Sequence, residues 1–178
     1  SGAVIYSESN YVAIYADDDL TLENLSEIHT PNSEIYLRVN FSSVDLVGGT
    51  LDVSGQLFST GFTNIRGSTE ADSFWIIPSQ NSNIKIDAYD PASPDLISDT
   101  LNYLLPAGES ETLVSTSTSD GTLSFTGGFG DIVYTGIENL QQGDLSQLSG
   151  LLRVEGTAGD DVLTINATDA DSGTWQLN

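Results

Sequence analysis

Apolar and polar residues alternate along much of this chain with a period of two. The clearest case is EIYLRVNF, where Leu37, Val39 and Phe41 alternate with Tyr36, Arg38 and Asn40. Such alternation assigns one set of side chains to a buried face and the other to solvent, as in a half-buried strand. The same reading marks AVIYSE, YVAIYA, LTLENL, EIYLRVNFSSVDL, TLDVSG, SFWIIP, IKIDAY, TLNYLL, TLSFTG, DIVYTGI, VLTINA and TWQLN as strand-like, with Gly, Pro, Asn, Asp and Ser in the turns between them. No segment carries a convincing helical period. LQQGDLSQLSGLL, from Leu140 to Leu152, comes nearest and accommodates a helical turn at most. The pattern predicts an all-β fold.

The spacing of the runs refines that expectation. In VDLVGGTLDVSGQLFSTGFTNI, from Val44 to Ile65, short strands recur every ten or so residues with glycine at the corners, the pattern of a parallel β-helix or solenoid. A β-sandwich predicts nearly the same number of strands and stands as the alternative. GFTNIRGSTEADSFWI (Gly61 to Ile76) aligns without a gap on GLLRVEGTAGDDVLTI (Gly150 to Ile165), an offset of 89 residues in a chain of 178. The whole chain therefore reads as a single all-β domain, 1–178, with room for two similar halves, 1–89 and 90–178. Internal repeats of this kind mark arrays whose units bury their faces on one another.

Composition narrows the function. Asp and Glu number 26 against only Arg38, Arg66, Lys85 and Arg153, a formal net charge of −22. Such a surface repels nucleic acid and anionic lipid, so neither nucleic-acid binding nor membrane insertion is expected. It also repels itself, and folding calls for high salt or bound cations. With no Cys and no Met, disulfides and thiolate metal sites are excluded. No apolar run approaches the roughly 20 residues of a membrane span. The start at Ser1 fits a mature product, a tag remnant or an excised fragment.

GTAGDDVLT, from Gly156 to Thr164, is similar to the nonapeptide of the hemolysin-type (RTX) calcium-binding repeats, G-G-x-G-x-D-x-U-x. Gly156, Gly159, Asp161 and Leu163 fall on that pattern, with Thr157 in place of the second glycine. Glycines let a turn expose its carbonyls and Asp supplies hard oxygens, which calcium collects six to eight at a time. The copy GSTEADSFW keeps Gly67, Asp72 and Phe74, with Ser68 and Glu70 at glycine positions; GGFGD, Gly127 to Asp131, sets its aspartate one residue early. One good copy and two degraded ones argue against a full calcium roll. The resemblance implies Ca2+ at Gly156, Gly159, Asp160 and Asp161, joined by Asp169 and Asp171 of ATDADSG, and a weaker site at Glu70 and Asp72. The alternative for each aspartate is a turn in which Asp caps its own backbone.

A longer likeness covers about two thirds of the chain. FTNIRGSTEADSFWI, DTLNYLLP, GTLSFTGG, DIVYTGIENL and GTAGDDVLTINATDADSGTWQLN resemble the tandem units of giant bacterial cell-surface proteins, where a phrase ending TWQLN runs on into one like GAVIY. This chain begins SGAVIY. The resemblance implies a secreted, cell-surface structural or adhesive repeat that assembles head-to-tail with other copies or neighbouring repeats.

The remaining chemistry is sparse. Asp17, Asp18 and Asp19 read as a solvated loop, and Asp87, Asp90, Asp95 and Asp99 as a surface loop with room for an ion. His29, the lone histidine, reads as a surface loop residue, since one His without Cys or convergent carboxylates builds no zinc site. There is no G-x-S-x-G elbow, and carboxylate pairs carry no glycosidase signal in a chain with 26 of them. A β-helical polysaccharide lyase is disfavoured because four basic residues on so negative a surface weigh against polyuronate binding. No enzyme is expected. Tyr6, Tyr11, Tyr15, Tyr36, Phe74, Trp75 and Trp175 read as core or interface residues, and an exposed aromatic row would instead favour a carbohydrate-binding adhesin module. Asn24, Asn40 and Asn166 head N-x-[ST] sequons, consistent with exposure on a secreted protein and frequent by chance in a Ser/Thr-rich chain.

Overall fold

A computed structural model describes residues 2–41, 47–89 and 98–142, all within one compact unit, Ser1–Gln142; a second unit spans Gly143–Asn178. Among the described residues there are fifteen strands and no helix. They are β1 (Val4–Tyr6), β2 (Val12–Tyr15), β3 (Leu20–Leu22), β4 (Glu27–Thr30), β5 (Ile35–Arg38), β6 (Thr50–Val53), β7 (Gln56–Ser59), β8 (Phe62–Arg66), β9 (Ser73–Ile76), β10 (Asn83–Asp87), β11 (Thr100–Tyr103), β12 (Glu111–Ser115), β13 (Gly121–Phe125), β14 (Ile132–Thr135) and β15 (Asn139–Gln142).

The strands form a three-stranded sheet in the order β1-β4-β7, a seven-stranded sheet in the order β12-β13-β14-β10-β8-β5-β2, and a five-stranded sheet in the order β15-β11-β9-β6-β3. From β1 to β9 the chain visits the three sheets in rotation. Parallel neighbours ordinarily need a helical crossover; here the crossover consists of the strands of the other two sheets. The exception is the antiparallel hairpin β12–β13, which extends the seven-stranded sheet beyond β14.

In-register pairing turns the period-two pattern into inward rows of like side chains. In the seven-stranded sheet Ile14, Leu37, Ile65, Ile86 and Tyr134 form one row. In the five-stranded sheet Leu20, Leu51, Phe74, Leu101 and Leu140 form another. Ile5, Ile28 and Leu57 line up in the three-stranded sheet. Most of these side chains are fully buried, each worth about 1.5–3 kcal/mol of removed apolar surface. Thr63 interrupts an aliphatic row, and its hydroxyl is satisfied by Ser82 Oγ at 2.9 Å. Burial pushes the Tyr103 hydroxyl up to about 12, helped by Glu111, which accepts its proton at 3.1 Å.

Several expectations need correction. The alternation of EIYLRVNF stops at Asn40, whose φ of 49° is left-handed. That reversal buries Asn40 and turns Phe41 outward, so the Asn40 side chain is not at the surface. Its amide instead donates to Val47 O at 3.1 Å and Ser68 Oγ at 3.2 Å. His29 lies on β4 rather than in a loop, stacked on Phe58 with ring centroids 4.1 Å apart and hydrogen-bonded to Glu27 at 2.7 Å. Asp99, expected in a surface loop, is fully buried beside β11, and Asp90 and Asp95 lie outside the described residues. Leu140, Gln141 and Gln142, which open the segment that accommodates a helical turn, lie on β15 instead.

Candidate functional site

Two polar features stand apart from the core. The first lies where the chain enters the five-stranded sheet. Register places Asp18, Gly49, Asp72, Asp99 and Glu138 in one column, each just before or at the start of a strand. Three carboxylates of this column each accept the backbone N–H of the preceding layer. Gly49 N donates to Asp72 Oδ1 at 2.7 Å, Asp72 N to Asp99 Oδ1 at 2.6 Å, and Asp99 N to Glu138 Oε2 at 2.8 Å. The backbone adds Thr100 N to Asp72 O and Asn139 N to Asp99 O, both 3.0 Å. Asp19 Oδ1 takes Thr50 N at 2.8 Å beside the same column.

Asp72 is only 1% exposed. Burial raises its carboxyl above the ordinary carboxylate value, opposed by the Ser68 and Gly49 amides, which favour the ionised form. The nearby glycine is steric in origin: a Cβ at Gly67 would stand 2.5 Å from Asp72 Oδ2 and 2.8 Å from Ala88 O.

The second feature is the outer face of the seven-stranded sheet. Arg38 and Arg66 are register partners on β5 and β8, with Tyr15 beyond Arg38 and Asp87 beyond Arg66. The adjacent outward row runs Ala13, Tyr36, Asn64, Lys85. Three of the chain's four basic residues thus share one face. Aromatic rings border them: Tyr15 stacks on Phe41 at 5.2 Å, and Tyr11 meets Tyr36 edge-on at 5.5 Å. Arg38 lies 4.7 Å above the Phe41 ring and Arg66 4.5 Å above that of Tyr89.

This face encloses a groove of about 350 Å³. Its charges are poorly consumed. The Arg66–Asp87 pair is 3.9 Å apart and half exposed on both sides, and among the described residues no carboxylate pairs with Arg38 or Lys85. The Arg38 Nε is buried and has no hydrogen-bond partner among the described residues. Burying an unpaired donor costs about 1–3 kcal/mol, so this arrangement is not explained by stability.

Of the residues nominated for calcium, only Glu70 and Asp72 lie among the described ones; Gly156, Gly159, Asp160, Asp161, Asp169 and Asp171 lie outside them, as does Trp175. Glu70 accepts the Asn40 amide, and both Asp72 oxygens accept backbone N–H groups, the second from Ser68. Each oxygen that accepts one N–H retains a second lone-pair site, so these hydrogen bonds orient Asp72 and Glu70 without consuming their acceptor capacity. Among the described residues no group of three or more His, Asp or Glu side chains converges as metal ligands.

Residue-by-residue reading missed the column of Asp72, Asp99 and Glu138 and the alignment of the cations. A signal for the latter was present: YLRVN and TNIRG each carry an arginine directly after an inward aliphatic residue at a strand end. The aromatics divide. Phe74 is core, whereas Tyr6, Tyr11 and Tyr15 are each more than half exposed. Comparison with protein-family models, curated proteins and solved structures returns no match.

Proposed function

We propose that this chain is a structural repeat of an extracellular, cell-surface assembly, wound as a β-solenoid, stiffened by calcium and joined head-to-tail to further copies. The proposal includes no catalytic activity. Winding is supported over a sandwich by the rotation of the chain through three sheets and by parallel pairing everywhere except at β12–β13 and β13–β14.

The observation that carries the assembly is the edge formed by β1, β2 and β3. Each is the terminal strand of its own sheet among the described residues, so within them one end of all three sheets offers an unpaired ladder. Val4, Tyr6, Tyr11 and Tyr15 are 57–62% exposed there. Long unpaired edges with apolar side chains template pairing with another chain. At a net charge of −22 per copy, such contact needs cations to offset repulsion; the acidic sequence Gly156–Asp171 is the nominated locus.

Light scattering at high protein and millimolar calcium tests the assembly. Growth of the scattering mass is expected, reversed by EDTA and abolished by Tyr6→Pro, which removes an N–H directed away from β4 at the edge. A protein that stays monomeric under these conditions overturns the head-to-tail reading. Thermal melts tell the two claims apart: a melting temperature raised by calcium and lowered by EDTA at low ionic strength supports stiffening, and identical melts remove calcium from the proposal.

One observation favours a second reading, a carbohydrate-binding adhesin module. Tyr15, Tyr36 and Phe41 line the groove of the seven-stranded sheet, and the exposed Tyr11 and Tyr89 rings lie against Tyr36 and Arg66.

A further inference from the structure

We propose that the outer face of the seven-stranded sheet binds an acidic saccharide, laid across β2, β5, β8 and β10 with its carboxylates on Arg38, Arg66 and Lys85. The inference rests on the carbohydrate-binding reading and narrows it to a ligand class.

Four basic residues in a chain of net charge −22 argue against anion binding only if they are scattered. They are not: in-register pairing gathers three of them on one face, where Asp87 is the only carboxylate among the described residues that line the groove. A chain with 26 carboxylates has ample means to neutralise its own cations. Even so, Arg38 and Lys85 remain unpaired among the described residues, and the Arg38 Nε is buried without a partner. A planar guanidinium with free N–H groups matches a carboxylate fork.

Geometry favours a saccharide over an acidic protein surface. Adjacent strands lie about 4.8 Å apart, close to the length of one sugar ring, so charges on successive strands suit carboxylates on successive rings. The flanking Tyr15 and Phe41 rings offer apolar surface to sugar C–H groups. A second copy of this chain would bring its own charge of −22 to the contact, whereas a short oligosaccharide brings only the charges the groove can neutralise.

Titration calorimetry of the full chain with tetragalacturonate, and with its methyl-esterified uncharged counterpart, tests this. The acid is expected to bind at least about tenfold more tightly than the ester, since hydrogen bonds to charged groups are the strong ones. Arg38→Gln and Lys85→Gln are each expected to weaken the acid about three- to tenfold with unchanged melting temperature. Equal binding of acid and ester, lost together in Tyr15→Ala, overturns the acidic class while leaving the carbohydrate reading intact. Binding of neither sugar overturns both. Acid binding unchanged in both Arg38→Gln and Lys85→Gln overturns the assigned face. Self-association abolished by the cation variants, without saccharide binding, reassigns the face to a contact between copies and overturns the proposal.

Discussion

The carboxylate column before the five-stranded sheet and the cationic face of the seven-stranded sheet are built by the same device. Parallel register repeats a sequence position in every layer, so a charge at one position becomes a stack of charges. Their partners differ. Asp72, Asp99 and Glu138 turn along the stack and accept backbone N–H groups, so their charge is spent holding one layer to the next. Arg38 and Lys85 point away from the sheet and meet no carboxylate among the described residues. A stacked charge with a backbone partner is structural, and one without a partner among the described residues is the kind we propose to meet a ligand.

The largest effect separating the two is expected from Asp72→Ala. It strips acceptors from two buried amides, Gly49 and Ser68, and is expected to cost about 2–4 kcal/mol, read as a lower urea midpoint at unchanged slope. Asp72→Asn keeps one acceptor and should fall between. A wild-type midpoint in the alanine variant would break the comparison by showing that the column does not hold the layers.

A pH series is expected to give a smaller effect with a definite sign. Burial raises the Asp72 carboxyl above its ordinary value. Between the ordinary and the raised value the folded state holds a proton that the unfolded state has lost, so stability falls as pH rises through that window and is level above it. Relative to Asp72→Asn, the wild type should therefore gain stability as pH is lowered into the window. Asp120 has the opposite sign: the Ser117 hydroxyl and Gly136 amide hold its carboxyl below the ordinary value. Its contribution is present above the ordinary value and lost as pH falls through the lowered one. A wild type that loses stability against Asp72→Asn on acidification contradicts the assigned cause.

The smallest effect is expected from Arg38→Met. Relief of the buried Nε–H, which has no partner among the described residues, and loss of the guanidinium's contact with the Phe41 ring are each about 1 kcal/mol and opposite in sign, so the net change should be no more than about 0.5 kcal/mol. Thermal melts that show a loss as large as that of Asp72→Ala would mean that the cationic face is structural after all.

How much of this was legible beforehand varies by feature. IKID and IVYT read as strands because side-chain direction in a strand depends only on the neighbours i±2. QLFS and EIHT were harder, since His29 and Phe58 belong to an aromatic stack that exists only when β4 and β7 pair. Asp72 was singled out for a calcium motif, but its spacing from Gly67 has a local cause in the close approach of glycine to carboxylate. Asp99 and Glu138 carried no signal, because the loops between equivalent positions differ in length and conceal the repeat.

By itself the sequence determined an all-β chain, the inward rows of Ile, Leu and Val, and an acidity that demands counter-charge. These follow from local alternation and composition, which act whatever the topology. Only the tertiary structure decided that Asn40 reverses the alternation, that Asp72 and Asp99 are capped by backbone amides, and that Arg38, Arg66 and Lys85 meet on one face. Those outcomes depend on register between strands remote in sequence, set by the packing of whole layers rather than by any residue's neighbours along the chain.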